Sequence, residues 1–272
     1  MPVSLTGSGV ASEPRSSSQY SRRFKVFGTS SVDNCEKNSR LAIMQPYLFP
    51  YIGYFQLLYS TDRFISYDDV TFIKQGWINR NRILLNGKDH IFSVPLKAIS
   101  SFRLIKETEI DNSSYKEWKK KNLKTIEQAY KKAPYYEQVY PLVNNVFESE
   151  DKSISKLALN SIKAVCSYIG LKINCILSSE KFNNHELSAQ ARILDICTKE
   201  KAAQYINMKG GMTLYSKADF AEQNITLNFL EPELISYPQF KDEFIPWLSI
   251  IDVMMFNDPG QIKAMLDRYK LL

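Results

Sequence analysis

The sequence predicts an α/β fold, a mostly parallel Rossmann-like sheet that carries a β-hairpin and a central helical insertion. Three observations predict it. Strand, turn, helix and strand patterns follow one another between residues 41 and 70, the mark of a βαβ unit with a right-handed crossover. Asn86-Gly87 separates two runs of alternating polarity, and residues 112–169 carry helical periodicity before short strands return.

The first strand is LAIMQ (41–45), cut off by Pro46. After Pro50, the positions of Ile52, Phe55, Leu58 and Tyr59 fit one face of a helix, and RFISYDDV (63–70) alternates as a second strand. With Asn86-Gly87 as the turn, Leu85 pairs with Lys88, Ile83 with His90 and Asn81 with Phe92. Asn81, Ile83, Leu85, His90, Phe92 and Val94 then share the more apolar face, with His90 expected in the core, while Arg80 and Arg82 point to the other side. Ser114 and Glu117 have capping-box spacing at the start of a helix with Tyr115, Trp118, Ile126 and Tyr130. A second helix is expected to end near Pro141 or soon after, and a third carries Ile154, Leu157, Ile162, Val165 and Ile169. INCILSS (173–179), AQYIN (203–207) and ITLNFL (225–230) read as strands; Ser188 caps a helix through Ile193 and Ile196, and KADFAEQ is a short helix.

Of the 272 residues 44% are hydrophobic and 24% charged, enough for a real core, so residues 40–272 are expected to form a single α/β domain with a helical segment over about 112–170. The Ser-rich residues 1–39 lack periodicity and an apolar leader and are expected to be a disordered tail. The net charge of +6 is split: Arg15, Arg22, Arg23, Lys25, Lys37 and Arg40 against Glu13, Asp33 and Glu36 place half of it in the first forty residues. No concentrated basic face remains, and no DNA partner is expected. Cys35, Cys166, Cys175 and Cys197 have no metal-ligand spacing and read as free thiols of a reducing cytoplasm, with no metal site. No apolar run approaches the roughly 20 residues that cross a bilayer.

Several residues are suited to chemistry. Tyr51-Ile52-Gly53-Tyr54 lies where a strand turns into a helix, where a glycine admits a ligand to the backbone and the helix N-terminus offers N–H groups to an anion. The turn is similar to the HxGH turn of nucleotidyltransferases and class I synthetases, with tyrosines in place of both histidines. Gln45, ending the first strand, belongs to the same candidate site. Asp68-Asp69 ends the second strand, where open α/β sheets place ligands, and alternation lets only one of the two face a cleft. Either carboxylate suits a general base or a magnesium ion. Trp77, Asn79, Arg80 and Arg82 combine a stacking ring, an amide and two guanidinium forks, the composition for a nucleotide-sugar diphosphate. Gly210-Gly211 with Tyr215 forms a second candidate phosphate loop, and Ser249 and Asp252 have N-cap and N3 spacing before IIDVMMF.

Taken together, MQPYLFPYIGYFQL, the DDV-x-F…GWINRNRI block and the closing YPQ…FIPWLSIIDVMMFN resemble the WbqC-like protein family, in order from about residue 41 to 258. The resemblance implies a bacterial cytoplasmic protein of O-antigen or other surface-polysaccharide biosynthesis, a glycine or amino-acid transferase acting on an amino sugar. It carries over no catalytic residue set. The leading expectation is acyl or aminoacyl transfer to the amine of a nucleotide-linked amino sugar. Arg80 and Arg82 would hold the diphosphate, Trp77 would stack on the base or sugar, and Asp69 or Asp68 would accept the amine proton. An acyl carrier or aminoacyl-tRNA is the expected donor, with the basic helix around Lys119 to Lys124 as its contact. Two other readings stand beside it: an ATP-using ligase or nucleotidyltransferase needing magnesium, and a non-catalytic glycan-precursor binding or scaffold protein.

Overall fold

The computed structural model describes residues 39–100, 102–240 and 243–272. The expected tail therefore lies outside the described residues, apart from Ser39. Strand β1 (Arg40–Met44) leads through a proline-flanked turn into helix α1 (Ile52–Tyr59) and back to β2 (Arg63–Ser66). The two strands pair in parallel from Leu41 with Arg63 to Met44 with Ser66, the expected βαβ unit. Strands β3 (Arg80–Leu85) and β4 (Lys88–Ser93) form a separate antiparallel hairpin with the predicted register. Its turn needs two left-handed residues, which Asn86 at φ 52° and Gly87 at φ 70° supply. His90 is exposed rather than in the core, because β4 is buried only at Phe92.

Helices α2 (Asn112–Tyr130), α3 (Tyr136–Phe147) and α4 (Ile154–Tyr168) make up the insertion. Asp111, not Ser114, is the N-cap of α2: it accepts from the Ser113 N–H at 3.1 Å, and the Ser114 hydroxyl donates to it at 2.7 Å. Helix α3 runs through Pro141 because Val139, Val143, Val146 and Phe147 are all buried along one side. Strand β5 (Cys175–Leu177), α5 (Ser178–Lys181), α6 (Ala189–Lys199), β6 (Gln204–Met208), α7 (Lys217–Glu222) and β7 (Thr226–Pro232) follow. Ser188 precedes α6 but makes no side-chain cap, and Lys209–Gly211 closes into a 3-10 turn rather than an open loop. Helices α8 (Ile250–Phe256) and α9 (Pro259–Met265) and strand β8 (Tyr269–Leu271) end the chain.

The main sheet has the order β5-β2-β1-β6-β7-β8, parallel except for β8. The chain moves outward from β1 to β2 and β5, then returns to pair β6 on the other side of β1. That reversal is a topological switch point, and the carboxyl edge beside it is where such sheets hold ligands. Alternation along the strands buries both faces. Ala42, Phe64, Ile206 and Leu230 pack with α1, the hairpin, α2–α4, α8 and α9, while Leu41, Ile43, Ile65, Tyr205 and Phe229 pack with α6 and α7. Among the described residues no helix is long and apolar enough to cross a membrane.

Candidate functional site

Three segments distant in sequence are knitted together where β1 turns into α1. The Leu48 N–H donates to the carbonyl of Ile78 at 3.0 Å, the Ser249 N–H to that of Arg82 at 2.9 Å, and the Ile250 N–H to that of Pro50 at 2.9 Å. At the centre is Phe49, held at φ 42°, a backbone conformation unusual for a bulky side chain. Its carbonyl accepts from Asn81 Nδ2 and from the Ser249 hydroxyl at 2.8 Å, and its N–H donates to Ser161 Oγ at 2.9 Å. Strain of this kind persists only where neighbours over-determine it. Here the bend places Tyr47 and Tyr51 in one cleft with Asn81 and Arg82 of β3, while the Phe49 ring packs on Phe147.

The bend opens on a cleft of about 310 Å3, lined by Tyr47, Tyr51, Trp77, Asn81, Arg82, Pro232 and Trp247. Tyr51 and Trp247 meet edge to face, with ring centres 6.0 Å apart. Trp77 and Trp247 each keep 44% of their surface exposed, so both present ring surface at the cleft. Trp247 has φ 61°, a second strained position on the cleft wall. The guanidinium carbons of Arg80 and Arg82 stand 5.3 and 5.5 Å from the Trp77 ring centre. Arg82 Nη2 donates to the Trp247 carbonyl at 3.1 Å, Nη1 pairs with Asp89 at 3.3 Å, and the buried Nε has no partner. Burial pushes the Tyr51 phenol up to about 12 and Tyr47 well above its usual range, so both rings are neutral walls.

The structure brings Tyr51, Trp77 and Arg82 into this cleft and leaves the other sequence candidates outside its lining. Tyr54 faces the core, and its hydroxyl donates to the Gln45 carbonyl at 3.2 Å. The space over Gly53 is filled by the Tyr51 ring: a Cβ at Gly53 would lie 2.6 Å from Tyr51 Cζ. The glycine thus seats a tyrosine rather than baring the backbone. Asn79 Nδ2 donates to the Val94 carbonyl at 2.9 Å, and Arg80 Nε to that of Gly76 at 2.9 Å, so both serve the hairpin approach. Asp68 and Asp69 are both buried, whereas alternation turns only one inward. Asp68 caps α5, accepting from the Ser179 N–H at 3.0 Å and hydroxyl at 2.8 Å. Asp69 is 2.6 Å from Arg192 in a buried ion pair and lines a different cavity.

Gly210 and Gly211 follow β6, with a Cβ at Gly211 only 2.6 Å from Asn207 Nδ2, and Tyr215 packs edge-on against Tyr205 and Phe220 on the α6/α7 face. Ser249 caps α8, donating to Phe49 and accepting from the Ile251 N–H at 3.2 Å. Capping does not account for Asp252. It is fully buried and accepts from the Tyr130 hydroxyl at 2.8 Å, the Tyr237 hydroxyl at 2.7 Å and Gln239 at 2.6 Å. With no cation beside it, burial raises its pKa to about 6. The thiols of Cys166, Cys175 and Cys197 are free, and burial raises each, Cys166 to about 12 and Cys175 to about 11, which leaves them unreactive. Among the described residues no group of three His, Cys, Asp or Glu side chains is placed to hold a metal ion.

Sequence reasoning missed Tyr47, Asn81, Pro232 and Trp247 as cleft residues. Tyr47 and Trp247 do stand in the aromatic, proline-bounded runs QPYLFP and FIPWLS. That composition was the available signal, but only the fold brings the two runs together.

The model of the WbqC-like protein family matches residues 45–264, a range that holds all three segments of the junction. An uncharacterized protein of Mycobacterium tuberculosis (strain ATCC 25618 / H37Rv), Rv1507c, is 27% identical over 223 residues, covering 80% of this chain and 93% of that protein. No solved structure matches.

Proposed function

The chain belongs to the WbqC-like protein family, and from that premise we propose a transferase of bacterial surface-polysaccharide biosynthesis whose acceptor is a nucleotide-linked amino sugar seated in the aromatic cleft. One observation carries the reading. Four rings from three separate segments wall a cleft whose main polar group is a guanidinium with a buried, unpartnered Nε. Rings of this kind stack on a base or on the C–H face of a pyranose, and a guanidinium fork matches phosphate oxygens. In the transfer step the sugar amine attacks the donor's acyl carbonyl. A C–N bond forms, the bond to the carrier's sulfur or oxygen breaks, and the amine proton leaves with the carrier group. Titration calorimetry with a UDP-linked amino sugar, with UDP and with the free amino sugar tests the reading. Binding of the first, weakened in Trp77→Ala, is expected; equal, non-saturable heats with all three would overturn it.

One observation favours a non-catalytic glycan-precursor binder instead. The cleft's ionisable lining groups are Tyr47, Tyr51 and Arg82, none of which accepts a proton at neutral pH, and Asp69 lines a different cavity. Tight binding with no product from acyl carrier or aminoacyl-tRNA donors would select that reading.

A further inference from the structure

The carboxyl ends of β2 and β5 open on a second cavity of about 510 Å3, which shares no lining residue with the aromatic cleft. Asp69 and Phe182 form its buried part, and Lys106, Glu180, Lys181 and His185 stand at its exposed rim. Asp69 is 6% exposed, and only half of its carboxylate is satisfied. Oδ2 accepts from Arg192 Nη2 at 2.6 Å, whereas Oδ1 is buried with no partner. Arg192 cannot turn to serve it. Its Nη1 donates to the Asp69 carbonyl at 3.1 Å, its Nε to Asn184 at 2.9 Å, and its guanidinium lies 4.9 Å from the Tyr67 ring centre. A buried acceptor left open in an otherwise completed network can take a donor from outside the chain, and the cavity that Asp69 lines gives such a donor room.

The charge around the opening narrows the class of that donor. Arg192 already neutralises Asp69, so the floor requires a hydrogen-bond donor without further charge, which a hydroxyl provides. At the rim Lys181 pairs with Glu200, while Lys106 and His185 pair with no carboxylate among the described residues. Two lysines, Lys106 and Lys181, stand against the one lining acid at the rim, Glu180, which favours an anion there. We propose that this cavity binds a small phosphorylated polyol, with a hydroxyl donating to Asp69 Oδ1 and the phosphate at Lys106 and His185. The proposal does not depend on what the aromatic cleft holds.

The probes are glycerol 3-phosphate, inorganic phosphate and glycerol, titrated into the full chain while the amide resonances of residues 179–185 are followed. Glycerol 3-phosphate should bind at least tenfold more tightly than either half, and Lys106→Ala, an exposed change, should weaken it by about tenfold. Asp69→Asn should remove the advantage of glycerol 3-phosphate over phosphate. Should loss of the ion pair prevent that variant from folding, Lys106→Ala and the comparison of the three probes still decide. Equal affinity for phosphate and glycerol 3-phosphate, or full affinity in Lys106→Ala, would overturn the proposal.

Discussion

Arg82 Nη2 donates to the carbonyl oxygen of Trp247 at 3.1 Å, and the same guanidinium stands 5.5 Å from the Trp77 ring centre. One side chain on β3 therefore positions both tryptophan walls of the cleft while keeping a buried Nε in reserve. Arg82→Lys keeps the charge and loses the fork. It should lower affinity for a nucleotide sugar by about tenfold, ~1.4 kcal/mol. The ion pair to Asp89 is half exposed on the acid's side, so unfolding free energy should change by no more than about 1 kcal/mol. Calorimetry and denaturant melts on the same samples separate the two effects.

Asp89 competes for the guanidinium that a phosphate would engage. Asp89→Asn removes that competitor and a negative charge beside the cleft, so affinity for an anionic ligand should rise by about three- to tenfold, most at low salt. A neutral sugar should bind both proteins equally. A lower affinity for the anion in Asp89→Asn would mean that Asp89 orients Arg82 rather than competing for it.

Gly53→Ala isolates the role of the Tyr51 ring. An added Cβ would lie 2.6 Å from Cζ and 2.7 Å from the hydroxyl of Tyr51, so the ring must leave its seat. Alanine also gains up to about 1 kcal/mol of helix propensity, which offsets part of the lost packing. The variant should stay folded within about 1 kcal/mol and lose cleft binding. Unchanged binding would show that the ring position does not matter.

Asp252 sets a pH dependence of stability. Its folded pKa of about 6 lies above the 3.8 of a solvated aspartate, and burial is the chief cause. A raised folded pKa means that this group's contribution is complete below about pH 4 and is lost as the pH rises through 6. The shift corresponds to about 3 kcal/mol. Asp252→Asn removes the titration, so the wild-type minus variant stability should fall by about that amount between pH 4 and 7. Parallel stability curves would contradict this account. Asp252→Ala should destabilise by about 2–4 kcal/mol near pH 4, because Tyr130, Tyr237 and Gln239 lose their shared acceptor, and by less as the pH rises through 6.

What could be read from the sequence was local. Asn86-Gly87 fixed the hairpin register because a two-residue turn with both residues left-handed permits one pairing. The βαβ unit followed from Pro46, Pro50 and the spacing of Ile52, Phe55 and Leu58. The two aspartates were misplaced because alternation holds only while the strand lasts. Strand β2 ends at Ser66, and beyond it Asp68 and Asp69 each turn inward to a different partner, Ser179 and Arg192. Asp252 has cap spacing, but its acceptor oxygens serve residues up to 122 positions away. Trp77 and Arg82 were legible as a stacking and phosphate-binding pair, whereas Trp247 joins them only through tertiary hydrogen bonds.

Tryptophan fluorescence reports ligand binding from the walls of the cleft themselves. Of the three tryptophans, Trp118 lies away from the cleft, packed on Tyr115 and Phe147. In Trp118→Phe the emission comes from Trp77 and Trp247 alone, the two walls of the cleft. Titration with a UDP-linked amino sugar should produce a saturable change in that emission, with the same dissociation constant as calorimetry. Calorimetric binding with no change in emission would place the ligand elsewhere and contradict the account.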